Sequence, residues 1–305
     1  MAHKIIGIAV HVDTYEGMKK GVPVLLALFQ KYGIKASFFV PMGKDHTGWT
    51  VKRIFKRKGF LKKTGTGRIW AEAVSPKTLM YGLLLPGPQI AKKNRELLRQ
   101  ITGEGHELGI HGHDHVYWHD NIKGFDRKST EDEVEKLLTV YRELTGIEAR
   151  SFAAPGWMIN HHVLRCFQEK GLVYSSDTRK GTALFYPEMG GERFQVLQIP
   201  TTLPTLDEVI GTKGTSVQAL AEYYLSILTD GLNILTVHAE IEGRQWTGFL
   251  EAFIKKTIAD GFTLKRLIDI ADEYAQSSDT PTCCIEYGFV EGRAGEVCVQ
   301  GKNSE

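Results

Sequence analysis

Three imidazoles fall within five residues at His111-Gly112-His113-Asp114-His115. Two imidazoles four residues apart converge on one cation where a strand ends in a turn or a helix. His113 is the ambiguous member, because a strand continuing through the run would point all three to one face. The competing view is a polar loop that happens to be histidine-rich, although such tracts commonly bind metal. A second group, His11-Val12-Asp13, ends the first apolar run. Alternation aims His11 and Asp13 at one face, and the C-terminal ends of parallel strands are where active sites gather. One carboxylate with two imidazoles makes an open metal site that leaves room for water and substrate. Alone, Asp13 followed by Thr14 reads equally well as the cap of the next segment. His238 closes the apolar run "NILTVH" and suits an acid that donates a proton near neutral pH; a histidine satisfied by a backbone carbonyl fits that position nearly as well. Asp177, ending "VYSSD", either orients His238 or is an ordinary turn aspartate.

These residues need strands to present them. Residues 5–12 read as a buried strand and 36–40 as a second, with further strands over 107–111, 149–154, 173–177, 194–200, 233–238 and 262–264. Between them Val22, Leu25, Leu26 and Phe29 recur at helical spacing, with Pro23 tolerable in a first turn. Thr130 and Glu133 read as a capping box ahead of Val134, Leu137, Leu138 and Tyr141, and residues 217–228 and 249–259 are helical by period. Repeated βα units predict an α/β fold with parallel strands, as an open sheet or a closed barrel.

The length suggests about two domains of ordinary size, although a barrel of about 250 residues forms a single one. The 305 residues, 42% hydrophobic and 24% charged with a net charge of +2, suffice for a full core and exclude collagen-like, disordered and small disulfide-rich classes. The four cysteines form no framework, which points to a reducing compartment. The first strand begins too early for a secretory signal, and no apolar run is long enough to span a bilayer, so a cytoplasmic location is expected.

Taken in order, "HVD", "HGHDH", "FAAPGW", "SSD" and "LTVH" resemble the motifs of the NodB-type polysaccharide deacetylases. The longer strings "VHVDTYEGMKKGVPVLL", "SSDTRKG", "QIPTTLPTLDEVIG" and "VHAEIEG" are similar to the subfamily of 4-deoxy-4-formamido-L-arabinose-phosphoundecaprenol deformylases. The resemblance implies a distorted, incomplete (β/α) barrel over residues 1–277, with a basic insertion at 44–88 and a C-terminal tail at 278–305. It implies a divalent cation, whether zinc, cobalt, manganese or iron, held by Asp13, His111 and His115, with His238 as catalytic acid and Asp177 as its partner. Pro155, Gly156 and Trp157 fall in the motif that lines the substrate groove. The implied reaction removes the N-formyl group from a lipid-linked sugar, in lipid A modification and polymyxin resistance. An N-deacetylase of a related undecaprenyl-linked amino sugar and an inert sugar-lipid binding protein are the alternatives.

Two positions depart from the family pattern. Its general-base aspartate is replaced by His11, and Ala153 stands where an arginine often pairs with that base. A buried arginine facing an imidazole and a cation would have lost its partner, so the two changes are consistent. His11 then reads as an imidazole base, as a further metal ligand, or as a sign of lost activity, in that order. The segment 52–68 carries eight basic residues beside Trp49, Val51, Ile54, Phe55, Phe60 and Leu61. Nucleic acid is disfavoured by the near-neutral chain, and a solvated helix is the plain alternative. The preferred reading is peripheral docking on the anionic cytoplasmic face of the inner membrane, with "LMYGLLLPG" holding prenyl chain.

Overall fold

The computed structural model describes residues 4–51, 73–274 and 280–303. Its central sheet has eight strands. β1 (Ile5–His11), β2 (Ser37–Val40), β3 (Glu107–Ile110), β4 (Ser151–Ala153), β5 (Tyr174–Ser176) and β8 (Leu197–Gln198) pair in that order, all in parallel. β9 (Leu232–His238) runs along the whole free edge of β1, and β10 (Thr263–Lys265) wedges against residues 5–7 of β1, where β2 does not reach. The barrel stays open between β8 and β9. There the Leu203 amide donates to the Ile234 carbonyl at 3.1 Å, and the Thr201 and Thr236 hydroxyls meet at 2.8 Å.

Strand alternation sorts the core into two. Ile6, Ile8, Val10 and Val12 face the helical layer together with Phe38, Val40, Leu108 and Ile110. Ile5, Ala9, Phe39, Ala153, Tyr174, Ile199 and Ile234 fill the barrel interior. The inward series of β1 therefore ends on His11, one step below Asp13, as its spacing implies. Helices Val22–Tyr32, Arg127–Thr145, Val217–Ile227 and Thr247–Ala259 bury one stripe each on the outer face.

Three expectations are corrected. Arg127–Thr145 begins not at Thr130 but at Asp126, whose carboxylate accepts from the Ser129 amide at 2.8 Å, while Thr130 lies inside the helix and bonds back to the Asp126 carbonyl. The true capping box is Thr205–Glu208. The strand expected over 194–200 shrinks to Leu197–Gln198. The C-terminal segment is more than an appendage: β11 (Thr282–Gly288) and β12 (Val297–Asn303) form a hairpin that joins β6 (Tyr186–Met189) and β7 (Glu192–Arg193) in a second sheet. The basic run 52–68 lies outside the described residues.

The closed end of the barrel carries one buried acid. Glu107 accepts hydrogen bonds from Ser37, from Ser151 at 2.6 Å, from Tyr174 at 2.9 and 2.8 Å, and from the Ile268 amide at 3.1 Å. Burial raises its pKa above the usual carboxylate range, and these donors oppose that shift. Truncation would strand four buried donors at once. Glu107→Ala is expected to lose about 3 kcal/mol or more of unfolding free energy. A urea midpoint indistinguishable from wild type would refute this role.

Candidate metal centre and active site

His11 and His238 are direct partners in the β1–β9 register, so the two imidazoles stand side by side at the C-terminal rim. β3 ends one residue before His111, whose amide donates to the Val40 carbonyl at 3.0 Å. Gly112 then turns the chain with φ +76°, and His115 opens the helix His115–Asn121. Asp114 caps that helix, accepting from the Val116 and Tyr117 amides at 3.1 and 3.0 Å. The result brings Asp13, His111 and His115 together, with one potential ligand atom from each inside a span of 4.8 Å. His113 points elsewhere, packed at Gly43, and burial lowers its pKa to about 4.

The donor set fits a divalent cation. His111 Nδ1 lies 2.7 Å from the Ala153 carbonyl, which can only accept, so Nδ1 carries a proton and Nε2 is the ring nitrogen turned toward Asp13. That nitrogen is 3.2 Å from Asp13 Oδ1, and both atoms are buried. His115 Nε2 stands 3.5 Å from the other carboxylate oxygen. Burial raises the pKa of Asp13, but His115 and His111 outweigh it and hold the carboxyl well below its usual value. A carboxylate held ionised beside two imidazoles is a donor set that a divalent cation fits.

His11 shares this space, with its ring centroid 4.3 Å from His111, 5.4 Å from Trp157 and 5.7 Å from His238. Burial and then the neighbouring His111 and His238 hold it well below the usual imidazole range, so it is neutral. His238 is also lowered by burial, against the opposing charges of Asp13 and Asp207. Asp177 was the expected partner of His238, but its carboxylate instead accepts from Gln198 at 3.1 Å, and burial raises it to about 6. Pro155, Gly156 and Trp157 form one tight turn at the rim, and Trp157 itself holds φ +53°, an unusual conformation for a bulky residue.

Sequence reasoning missed a buried clamp. Glu240 Oε1 accepts from the Asp13 amide at 3.1 Å and from the amide and hydroxyl of Thr14, both at 2.8 Å. Its carboxyl is raised to about 8, first by burial and then by Asp13. The insertion flanks are latched to the same loops. Asp45 accepts from the Tyr15 amide at 2.8 Å, and His46 pairs with Asp114 while stacking on Trp49.

A fold of this topology with an Asp-His-His centre defines a class, and a family comparison agrees. Residues 8–175 match the polysaccharide deacetylase family model, and the chain belongs to that family. Among curated relatives, it is 33% identical to a probable 4-deoxy-4-formamido-L-arabinose-phosphoundecaprenol deformylase of Shewanella sediminis, over 95% of this chain and 92% of that one. It is 31% identical to the protein of the same name from Wigglesworthia glossinidia brevipalpis, over 94% and 99%. A probable polysaccharide deacetylase of Pseudomonas aeruginosa shares the fold at a TM-score of 0.62 and 16% identity, covering 90% of this chain and 92% of that one.

Groups that orient metal ligands typically change affinity about 10- to 100-fold. Glu240→Ala is expected to weaken Co²⁺ binding by about that factor, and Asp13→Ala to abolish it. Unaltered Co²⁺ affinity in the Glu240 variant, measured by absorbance titration, would count against the clamp.

Proposed function

We propose that the protein is a metal-dependent deformylase of an undecaprenyl-phosphate-linked 4-formamido sugar, acting in lipid A modification and polymyxin resistance. The observation that carries this reading is the Asp13–His111–His115 cluster, with two further imidazoles beside it, in a chain similar over nearly its whole length to the two deformylases. A divalent cation held there supplies Lewis acidity toward the amide oxygen and the attacking water. His11, neutral and buried, accepts the proton that the water loses as its oxygen bonds to the formyl carbon. His238 is the rim imidazole through which a proton reaches the sugar nitrogen as the C–N bond breaks, releasing formate and the free amine. Trp157, whose ring lies 5.4 Å from that of His11, belongs to the wall of the site. Zinc, cobalt, manganese and iron all suit two imidazoles and a carboxylate.

Such a substrate stays in the bilayer, so the enzyme must meet it there. No helix among the described residues is long and apolar enough to cross a membrane. Peripheral docking on the cytoplasmic face rests instead on the basic run 52–68 and on the turn that follows it, where Leu83 and Leu84 are exposed. Trp49 donates to the Gly82 carbonyl at 2.8 Å, which ties that turn to the His46–Asp114 latch of the active site.

His238→Ala and His11→Ala are each expected to cut formate release by about 10²- to 10⁴-fold while Co²⁺ still binds. A His11 variant with full activity would eliminate the imidazole base. Charge reversal at Lys56, Arg57 and Lys62 should weaken binding to anionic vesicles and leave neutral vesicles unaffected. Equal binding of both proteins to anionic vesicles would dispose of the docking segment.

A further inference from the structure

The hairpin between β11 and β12 delivers a cation to the active site that the reaction above does not use. Arg293 holds its guanidinium carbon 4.5 Å from the centre of the Trp157 ring, and Trp157 in turn lies 5.4 Å from His11. One indole therefore separates this cation from the reacting groups. The turn is seated firmly. Gly292 has φ +79°, and a Cβ there would come within 2.3 Å of the Glu208 carbonyl oxygen, so only glycine permits the approach. Val290, Val297 and Val299 pack around the indole from the same hairpin.

Arg293 is not the structural cation of this corner. That role belongs to Arg179, which also lies over Trp157 and grips Glu208 through two bonds of 2.7 Å. Glu208 Oε2 accepts in addition from the Thr205 amide at 3.0 Å. Arg293 stands 3.6 Å from Glu208, beyond hydrogen-bond distance, and about one-sixth of its side chain remains accessible. Its fork of N–H donors is thus held in place by the charges of Glu208 and Asp207 and by the indole face, in the orientation a planar anion would meet. Beside it lies a cavity of about 250 Å³ whose lining includes Arg179, Lys180 and Lys213 against the carboxylates of Glu208 and Glu291, with Thr201 and Thr202 as neutral donors. The three cations of that lining outnumber its two carboxylates.

We propose that Arg293 is a substrate-binding residue that recognises the phosphodiester of the lipid-linked sugar, so that the C-terminal hairpin selects phosphate-bearing substrates. This rests on the deformylase reading and deepens it: the cation centre takes the formamide at one end of the sugar, and Arg293 takes the phosphate at the other. A planar guanidinium fixed on an aromatic face suits a phosphate oxygen pair in a way a mobile lysine does not.

The test compares two substrates in the metal-loaded, full-length enzyme: an alkyl-phosphate-linked 4-formamido sugar and the methyl glycoside of the same sugar. Arg293→Gln is expected to reduce the preference for the phosphate-bearing substrate, as a ratio of kcat/KM values, by on the order of 10- to 100-fold. The loss should fall on KM, and Arg293→Lys should recover part of it. An equal loss on both substrates, or an unchanged ratio, would overturn the assignment. If wild type cleaves neither substrate, the deformylase reading fails. Decyl phosphate binding by calorimetry then decides the anion site separately: weaker binding in Arg293→Gln supports it, and equal binding removes it.

Discussion

Everything at the rim answers to one electrostatic demand: a buried carboxylate, Asp13, is held beside the imidazoles of His111 and His115, and the Ala153 carbonyl fixes which His111 nitrogen faces it. The surrounding chain keeps these groups in place. Glu240 holds the backbone of Asp13 and Thr14 from beneath, Asp114 caps the helix that supplies His115, and Asp45 holds the Tyr15 amide. Their common effect is to fix a charge arrangement that would relax if the loops were mobile, which is the requirement for preorganised metal binding.

The second sheet follows from the barrel's incompleteness. Where β8 and β9 fail to form a ladder, the wall needs another source of packing, and the Thr201–Thr236 contact with Trp157 supplies its start. The Trp157 indole donates to Thr201 at 3.1 Å and is covered by valines of the C-terminal hairpin. The tail thereby closes the barrel's open side and brings the Arg179–Glu208 pair, buried and bidentate, under one roof with Trp157. A pair so deeply buried contributes little net stability, but it fixes geometry, because removing either partner leaves an uncompensated charge.

What could be read from the sequence was whatever depends on short-range periodicity. β1 shows its face through Ile6, Ile8 and Val10 alternating with Ala9 and His11, and the pairing of His111 with His115 follows from spacing alone. Caps were less legible, since Asp126 and Thr130 both offer oxygen to nearby amides and only the chain's path decides between them. The contacts of Glu240 and Arg293 carry no local signature. Glu240 meets Asp13 across 227 residues, and Arg293 reaches Trp157 only because β11 adds to β6 in parallel. Asp177 misled for a related reason: its place after a strand fits a histidine partner, but Gln198, from the adjoining strand β8, occupies it first.

The exchange of His11 and Ala153 for the acid and arginine of the family pattern also becomes a packing argument. The inward layer below the rim contains Ala9, Phe39, Gly109 and Ala153, and a Cβ on Gly109 would meet the Phe39 ring at 2.7 Å. Phe39 already fills the barrel there and stands edge-on to His11 at 5.9 Å. An arginine at 153 would place its charge in that apolar layer, near His11 and His111. With alanine, the backbone carbonyl of 153 stays available to His111, and the barrel under the site stays apolar. Burial in this apolar layer, with His111 and His238 close by, holds His11 well below the usual imidazole range. The small residue at 153 and the histidine at 11 thus form one arrangement, in which desolvation does for an imidazole what an ion pair does for a carboxylate.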